Sequence, residues 1–158
     1  VNGTQAWSAG HTAQHGASHF DRQVRDALIA LDAFAAVTAV GGGLALVTGM
    51  EGDRFPDMML EGTPFRSYLV PGSLLAGVVG GSASLAALAT VRNPHAGGRA
   101  SVLAGAVMMG WIAGEHRILR QQPSRGAWME VFYFLAGLLM AGLGLKLART
   151  AGETSQPE

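Results

Sequence analysis

Four stretches of this chain, each about twenty residues or longer, are dominated by Ala, Val, Leu, Met, Phe and Gly. They fall at about 27–50 (ALIALDAFAAVTAVGGGLALVTGM), 68–91 (YLVPGSLLAGVVGGSASLAALATV), 99–120 (closing on WIAGEHRILR) and 128–148 (WMEVFYFLAGLLMAGLGLKLA). A helix crossing a bilayer needs about 20 mostly apolar residues. Only 14% of the 158 residues are charged, against about 25% in ordinary soluble domains. The short Pro/Gly links RNPHAGGR and QQPSRG enforce antiparallel neighbours. The sequence therefore predicts an all-α, antiparallel four-helix transmembrane bundle.

Around that membrane domain, expected over 21–150, lie two polar tails. Residues 1–20 are rich in Gly, Ser, Ala, Thr and Gln and read as a disordered tail. Residues 151–158 form a second polar tail. The link EGDRFPDMMLEGTPFRS is acidic yet carries Phe55, Met58, Met59, Leu60 and Phe65. Its prolines and glycines preclude a long helix, so it is expected to lie on the membrane surface. No internal repeat is present, which gives no support to an inverted-repeat transporter.

Charge and cysteine content narrow the chemistry. The 11 basic and 11 acidic residues balance, leaving no polycationic face for nucleic acid. The absence of cysteine removes disulfides, thiolate metal sites and Cys nucleophiles. The sequence holds no Ser/His/Asp set, phosphate-cradling loop or zinc-protease helix, so neither an enzyme nor a cofactor is expected. His11, His15 and His19 recur every fourth residue, but Gly10 and Gly16 oppose the helix that would align them. Accidental spacing in a polar tail is the simpler reading, and no metal site is assigned.

Small residues supply the packing signal. Lipid tails compete for apolar contact, so membrane helices associate where small side chains let backbones approach. The second block offers Gly72, Ala76, Gly80 and Ser84 at four-residue spacing, with Gly77 and Gly81 beside them; the third offers Ala106, Gly110 and Gly114. Gly137 with Ala141, Met140 with Gly144, and Ala39 with Gly43 repeat the pattern. Gly72, Gly77, Gly80, Gly81, Gly110 and Gly114 are the expected helix-packing positions. They serve either the four helices of one subunit or, on the second helix, another subunit as well.

Few polar residues interrupt the blocks. Asp32 near the start of the first is expected either to pair with Lys146 in the fourth or to meet water in the headgroup layer. The third block ends on Glu115, His116, Arg117 and Arg120; Trp111 and the arginines suit a membrane interface. Glu115 does not, because a carboxylate gains nothing from lipid phosphates. It is expected, with Glu130, to face Arg54 or Arg66 and so tie the surface segment to the bundle. A proton- or ion-handling role for Glu115 is the sharper alternative. With both termini cytoplasmic, the inner side holds Arg22, Arg25, Arg92, Arg99, Lys146 and Arg149, against Arg54, Arg66, Arg117, Arg120 and Arg125 outside. That small excess and the acidic first link favour cytoplasmic termini.

The segments GGGLALVTG, LEGTPFRSYLVPGSLLAGVVGGSASLAAL, GWIAGEHRIL and VFYFLAGLLMAGLGL, in this order over about 41–145, resemble a widespread group of small bacterial integral membrane proteins. These have four predicted transmembrane helices and are generally catalogued as hypothetical. The resemblance rests on Glu61, Thr63, Pro64, Phe65, Tyr68, Pro71, Gly72, Gly80, Gly81, Trp111 and Glu115. It implies a four-helix fold in the bacterial cytoplasmic membrane and brings no activity or cofactor with it. The function expected is that of a non-enzymatic structural or accessory component, packing through its glycine-rich faces against itself or a larger membrane complex. The alternative is a small oligomeric transporter or channel using Asp32 or Glu115.

Overall fold

A computed structural model describes the backbone of residues 4–50, 60, 64–118 and 127–153, and the side chains of 20–50, 60, 64–117 and 128–150. The chain forms four helices: α1 (Thr4–Thr48), α2 (Leu69–Arg92), α3 (Pro94–Ile118) and α4 (Ala127–Glu153). Within them Phe20–Thr48, Leu69–Arg92, Pro94–Arg117 and Trp128–Thr150 are long and apolar enough to cross a membrane. At about 1.5 Å per residue, even the shortest exceeds the roughly 30 Å hydrocarbon core. This is the architecture of a multi-pass membrane protein. The reading of residues 1–20 as a tail falls largely on side chains outside those described, as do the imidazoles of His11, His15 and His19.

The helices alternate in direction around a ring, each packing on its sequence neighbours, with α4 closing on α1. The start of α1, the end of α4 and the α2–α3 turn lie at one end of the bundle, called here the terminal end. The end of α1, the start of α2, the end of α3 and the start of α4 lie at the other, the loop end. The core is small: Ala35, Ala36, Ala39, Ala83, Ala86, Ala104 and Ala136, filled out by Val79, Met108 and Met140. Large apolar side chains point outward instead, as with Val37, Leu85 and Leu103, each about 70% exposed. A soluble bundle would bury them; in lipid the outward face costs nothing and the small core brings the backbones together.

Glycines make that approach. A Cβ on Gly98 would strike the backbone of Gly144, and one on Gly144 the backbone of Gly98; Gly105 and Gly137 exclude each other's Cβ in the same way. These α3–α4 pairs are seven residues apart on both helices, the two-turn repeat at which inclined helices return to each other. On the α1–α2 seam Gly43 meets Gly72 and Ala76, while Gly80 meets Val40 and the Ala36 carbonyl. Seven residues of α1 thus face eight of α2. A π-helical turn at Leu75–Gly80 takes up the extra residue.

Within the chain only part of the expected packing set is used. Gly72 and Gly80 lie in the seam, but a Cβ at Gly77, Gly81, Gly110 or Gly114 would meet nothing within 4 Å. On α2 the four-residue row Gly72, Ala76 and Gly80 lies in the seam, whereas Gly77 and Gly81 beside it face outward; on α3 the contact glycines are seven residues apart, and Gly110 and Gly114 fall off that line.

The helix ends also depart from expectation. α1 closes at Gly49, whose φ of 71° is open to glycine; Met50 N–H then donates to the Ala45 carbonyl at 3.1 Å and Gly49 N–H to Leu46 at 3.3 Å, a Schellman termination. The α2–α3 turn, expected across 92–99, is the single residue Asn93. Its side-chain oxygen accepts from the Ala96 N–H at 3.1 Å, and Pro94 takes the first helical position, where no N–H is missed. α3 therefore begins five residues earlier than expected. The span of α1 takes in Val24, ahead of the expected block, and Leu28, both buried with Leu147.

Candidate functional site: a buried carboxyl on the bundle diagonal

Asp32 projects from α1 into the interior and is 0% exposed. Its partner comes from the opposite corner of the ring: Ser101 of α3, also fully buried, donates its hydroxyl to Asp32 Oδ2 at 2.6 Å. Ser101 Oγ also lies 3.0 Å from the Gly97 carbonyl, and with one proton it serves these two acceptors by turns. Asp32 Oδ1 has no hydrogen-bond partner among the described residues. Both readings of Asp32 are overturned here. It does not meet water, and Lys146 does not reach it. The Lys146 ammonium sits 3.8 Å above the Phe20 ring, about three turns nearer the terminal end, in a cation–π contact.

The residues below this pair complete a polar layer. Gly97 packs so closely on Thr90 that no side chain fits between them, and buried Thr90 donates to its own helix at Ala86, 2.9 Å away. Arg25, two turns before Asp32 on α1, donates from Nε to the Thr90 carbonyl at 3.2 Å and from Nη2 to Val91 at 2.9 Å. Those carbonyls belong to the last turn of α2 and have no intrahelical donor. His95 ties α3 to α4, with Nδ1 2.8 Å from the Ala148 carbonyl, which makes Nδ1 the protonated nitrogen. Arg25 thus turns two of its donors to a helix end, and among the described residues no cation pairs with Asp32.

Magnitudes show why this matters. A charged residue at mid-bilayer costs about 2.5–3.5 kcal/mol on insertion scales. A hydrogen bond returns about 0.5–1.5 kcal/mol net. One bond from Ser101 does not offset an ionised Asp32, so fold stability alone gives no reason for the residue.

The loop end holds a second, looser group. His116 Nδ1 lies 3.4 Å from Glu130 Oε2, with side chains 68% and 32% exposed. Glu115 is half-buried on the inward side of α3, while Arg66 is exposed. No Glu115–Arg66 pair forms among the described residues; Glu130 faces His116 instead. Arg54 and Glu61 lie outside the described residues. Among those described, no three His, Asp or Glu side chains converge as metal ligands. Fourteen residues of α3, about 21 Å, separate Glu115 from Ser101, and buried Ala104, Met108, Ala136 and Met140 lie between the two layers. The structure keeps Asp32 and Glu115 as separate features.

Ser101, Thr90, Arg25 and His95 were not picked out as site residues from sequence. Only Ser101 left a signal, as a lone hydroxyl in an apolar run with Gly97 one turn before it. Comparison with protein-family models, curated proteins and solved structures returned no match, so the resemblance to small bacterial membrane proteins rests on its motifs alone.

Proposed function

We propose that the protein is a non-enzymatic structural or accessory component of the bacterial cytoplasmic membrane, with both termini cytoplasmic, that packs against a further transmembrane helix. The observation that carries this reading is the outward placement of Gly77, Gly81, Gly110 and Gly114, with open space where a side chain would go. Glycine costs a helix about 0.8–1.0 kcal/mol relative to alanine. On a lipid-facing surface nothing offsets that cost unless another helix approaches. Gly77 and Gly81 lie one turn apart on α2, among exposed Leu74, Val78 and Leu85, which gives a shallow strip with apolar walls. Replacing Gly77 and Gly81 by Leu should leave thermal stability in detergent unchanged, since neither position is occupied within the chain. The mass of the gently extracted particle should fall to that of the monomer. An unchanged mass, or a wild-type particle that is already monomeric, sinks the reading.

A second reading, as a small oligomeric transporter, is favoured by the unpartnered Asp32 Oδ1. Its support is local, because buried Ala104, Met108, Ala136 and Met140 stand between Asp32 and Glu115. Ion flux into proteoliposomes that disappears with Asp32→Asn carries this reading. Flux that survives the substitution ends it.

A further inference from the structure

We infer that the terminal end of the α2–α3–α4 face is a docking surface for anionic phospholipid headgroups. Arg92, Arg99 and Arg149 are exposed there. The Gly98–Gly144 contact sets Arg99 and Arg149 on adjoining helices, and the one-residue turn at Asn93 joins the helices bearing Arg92 and Arg99. Arg25 closes the group on the α1 side through the Thr90 and Val91 carbonyls. Arg99 lies five residues into α3, about 7–8 Å from its start. An exposed guanidinium at that depth extends toward the headgroups along its aliphatic stem.

The distribution of acids makes this surface distinct. Leu69–Arg92 contains no carboxylate; the one acid in Pro94–Arg117 is Glu115, and the one in Trp128–Thr150 is Glu130, both at the loop end. On α1, by contrast, Asp21 and Asp26 flank Arg22 and Arg25. Arg92, Arg99 and Arg149 therefore stand exposed at the terminal end of α2, α3 and α4 with no acid at that end of the three spans; Glu153 follows Arg149 by four residues beyond the last span, and Lys146, over the Phe20 ring, faces α1. Guanidinium groups at headgroup depth match phosphate geometry, and basic residues near an anionic leaflet are drawn to its negative surface potential. Charge complementarity commits this surface to a phospholipid carrying net negative charge, and turns the terminal end toward the more anionic leaflet.

The test is thermal unfolding of the full chain in neutral detergent with added phosphatidylglycerol, phosphatidylcholine or inorganic phosphate. Phosphatidylglycerol should raise Tm over phosphatidylcholine by on the order of 5 °C. The rise should vanish in the Arg92→Gln/Arg99→Gln/Arg149→Gln variant and persist in Arg66→Gln/Arg117→Gln, which alters the loop end. Equal effects of the two lipids, an equal effect of phosphate alone, or a rise that survives the triple substitution each overturn the proposal. All substituted side chains are exposed, so both variants are expected to fold.

Discussion

Among the described residues, Asp32 and Ser101 occupy the one place where α1 and α3 exchange a side-chain hydrogen bond across the ring, and their hydrogen-bond inventory is short by one partner. Asn at position 32 keeps an oxygen for the Ser101 hydroxyl and removes the charge. Ala at position 101 leaves both carboxyl oxygens buried without a donor, at about 1–3 kcal/mol for an unsatisfied group. Asp32→Asn should therefore match or exceed the wild type in thermal stability in detergent, while Ser101→Ala should unfold several degrees lower. Equal destabilisation by the two would mean that the charge itself holds the bundle together. Half of this pair was legible beforehand. Asp32 stands out as the one carboxylate within its apolar block, but its partner depends on the depth of Ser101, and that depth depends on where α3 begins. A helix starting near 99 puts Ser101 in its first turn, close to water. The Asn93 cap moves the start to Pro94 and carries Ser101 inward to the level of Asp32. The expected Lys146 pair failed because the two charged groups are not at one depth: the ammonium lies over the Phe20 ring, about three turns nearer the terminal end than Asp32.

At the level of helices, the number and approximate extent of the spans follow from hydropathy, because bilayer thickness sets their length. The contact faces do not. Glycine is frequent on every helix, and its meaning depends on phase: Gly105 and Gly110 stand five residues apart and point to opposite sides of α3. The π-helical turn in α2 left no mark in the sequence, since it reflects a mismatch between two seams and no residue type specifies it. Substitution separates the two kinds of glycine. Gly105→Val drives a branched side chain into the Gly137 backbone and should cost about 3 kcal/mol or more, read as a fall in Tm in detergent. Gly110→Val should change stability by less than about 0.5 kcal/mol in the isolated chain. Similar costs at the two positions would show that the α3–α4 seam does not depend on Gly105.

Taken whole, the molecule has two unlike ends, and the native sequence contains no cysteine, so single cysteines can report on each. Arg149→Cys and Arg92→Cys should react with a membrane-impermeant maleimide from one side of intact vesicles, and Ser67→Cys and Arg117→Cys from the other. Labelling of Arg92→Cys and Ser67→Cys from the same side would contradict a spanning α2. The α2–α3 connection bears on the entire structure in another way. With one residue between two rigid rods, chain length there acts as a gear setting. A single residue added beside Asn93 would advance α3 by about 100° around its own axis. It would turn Ser101 away from Asp32 and Gly98 away from Gly144 in one movement. At this point in the chain the count of residues carries as much information as their identity.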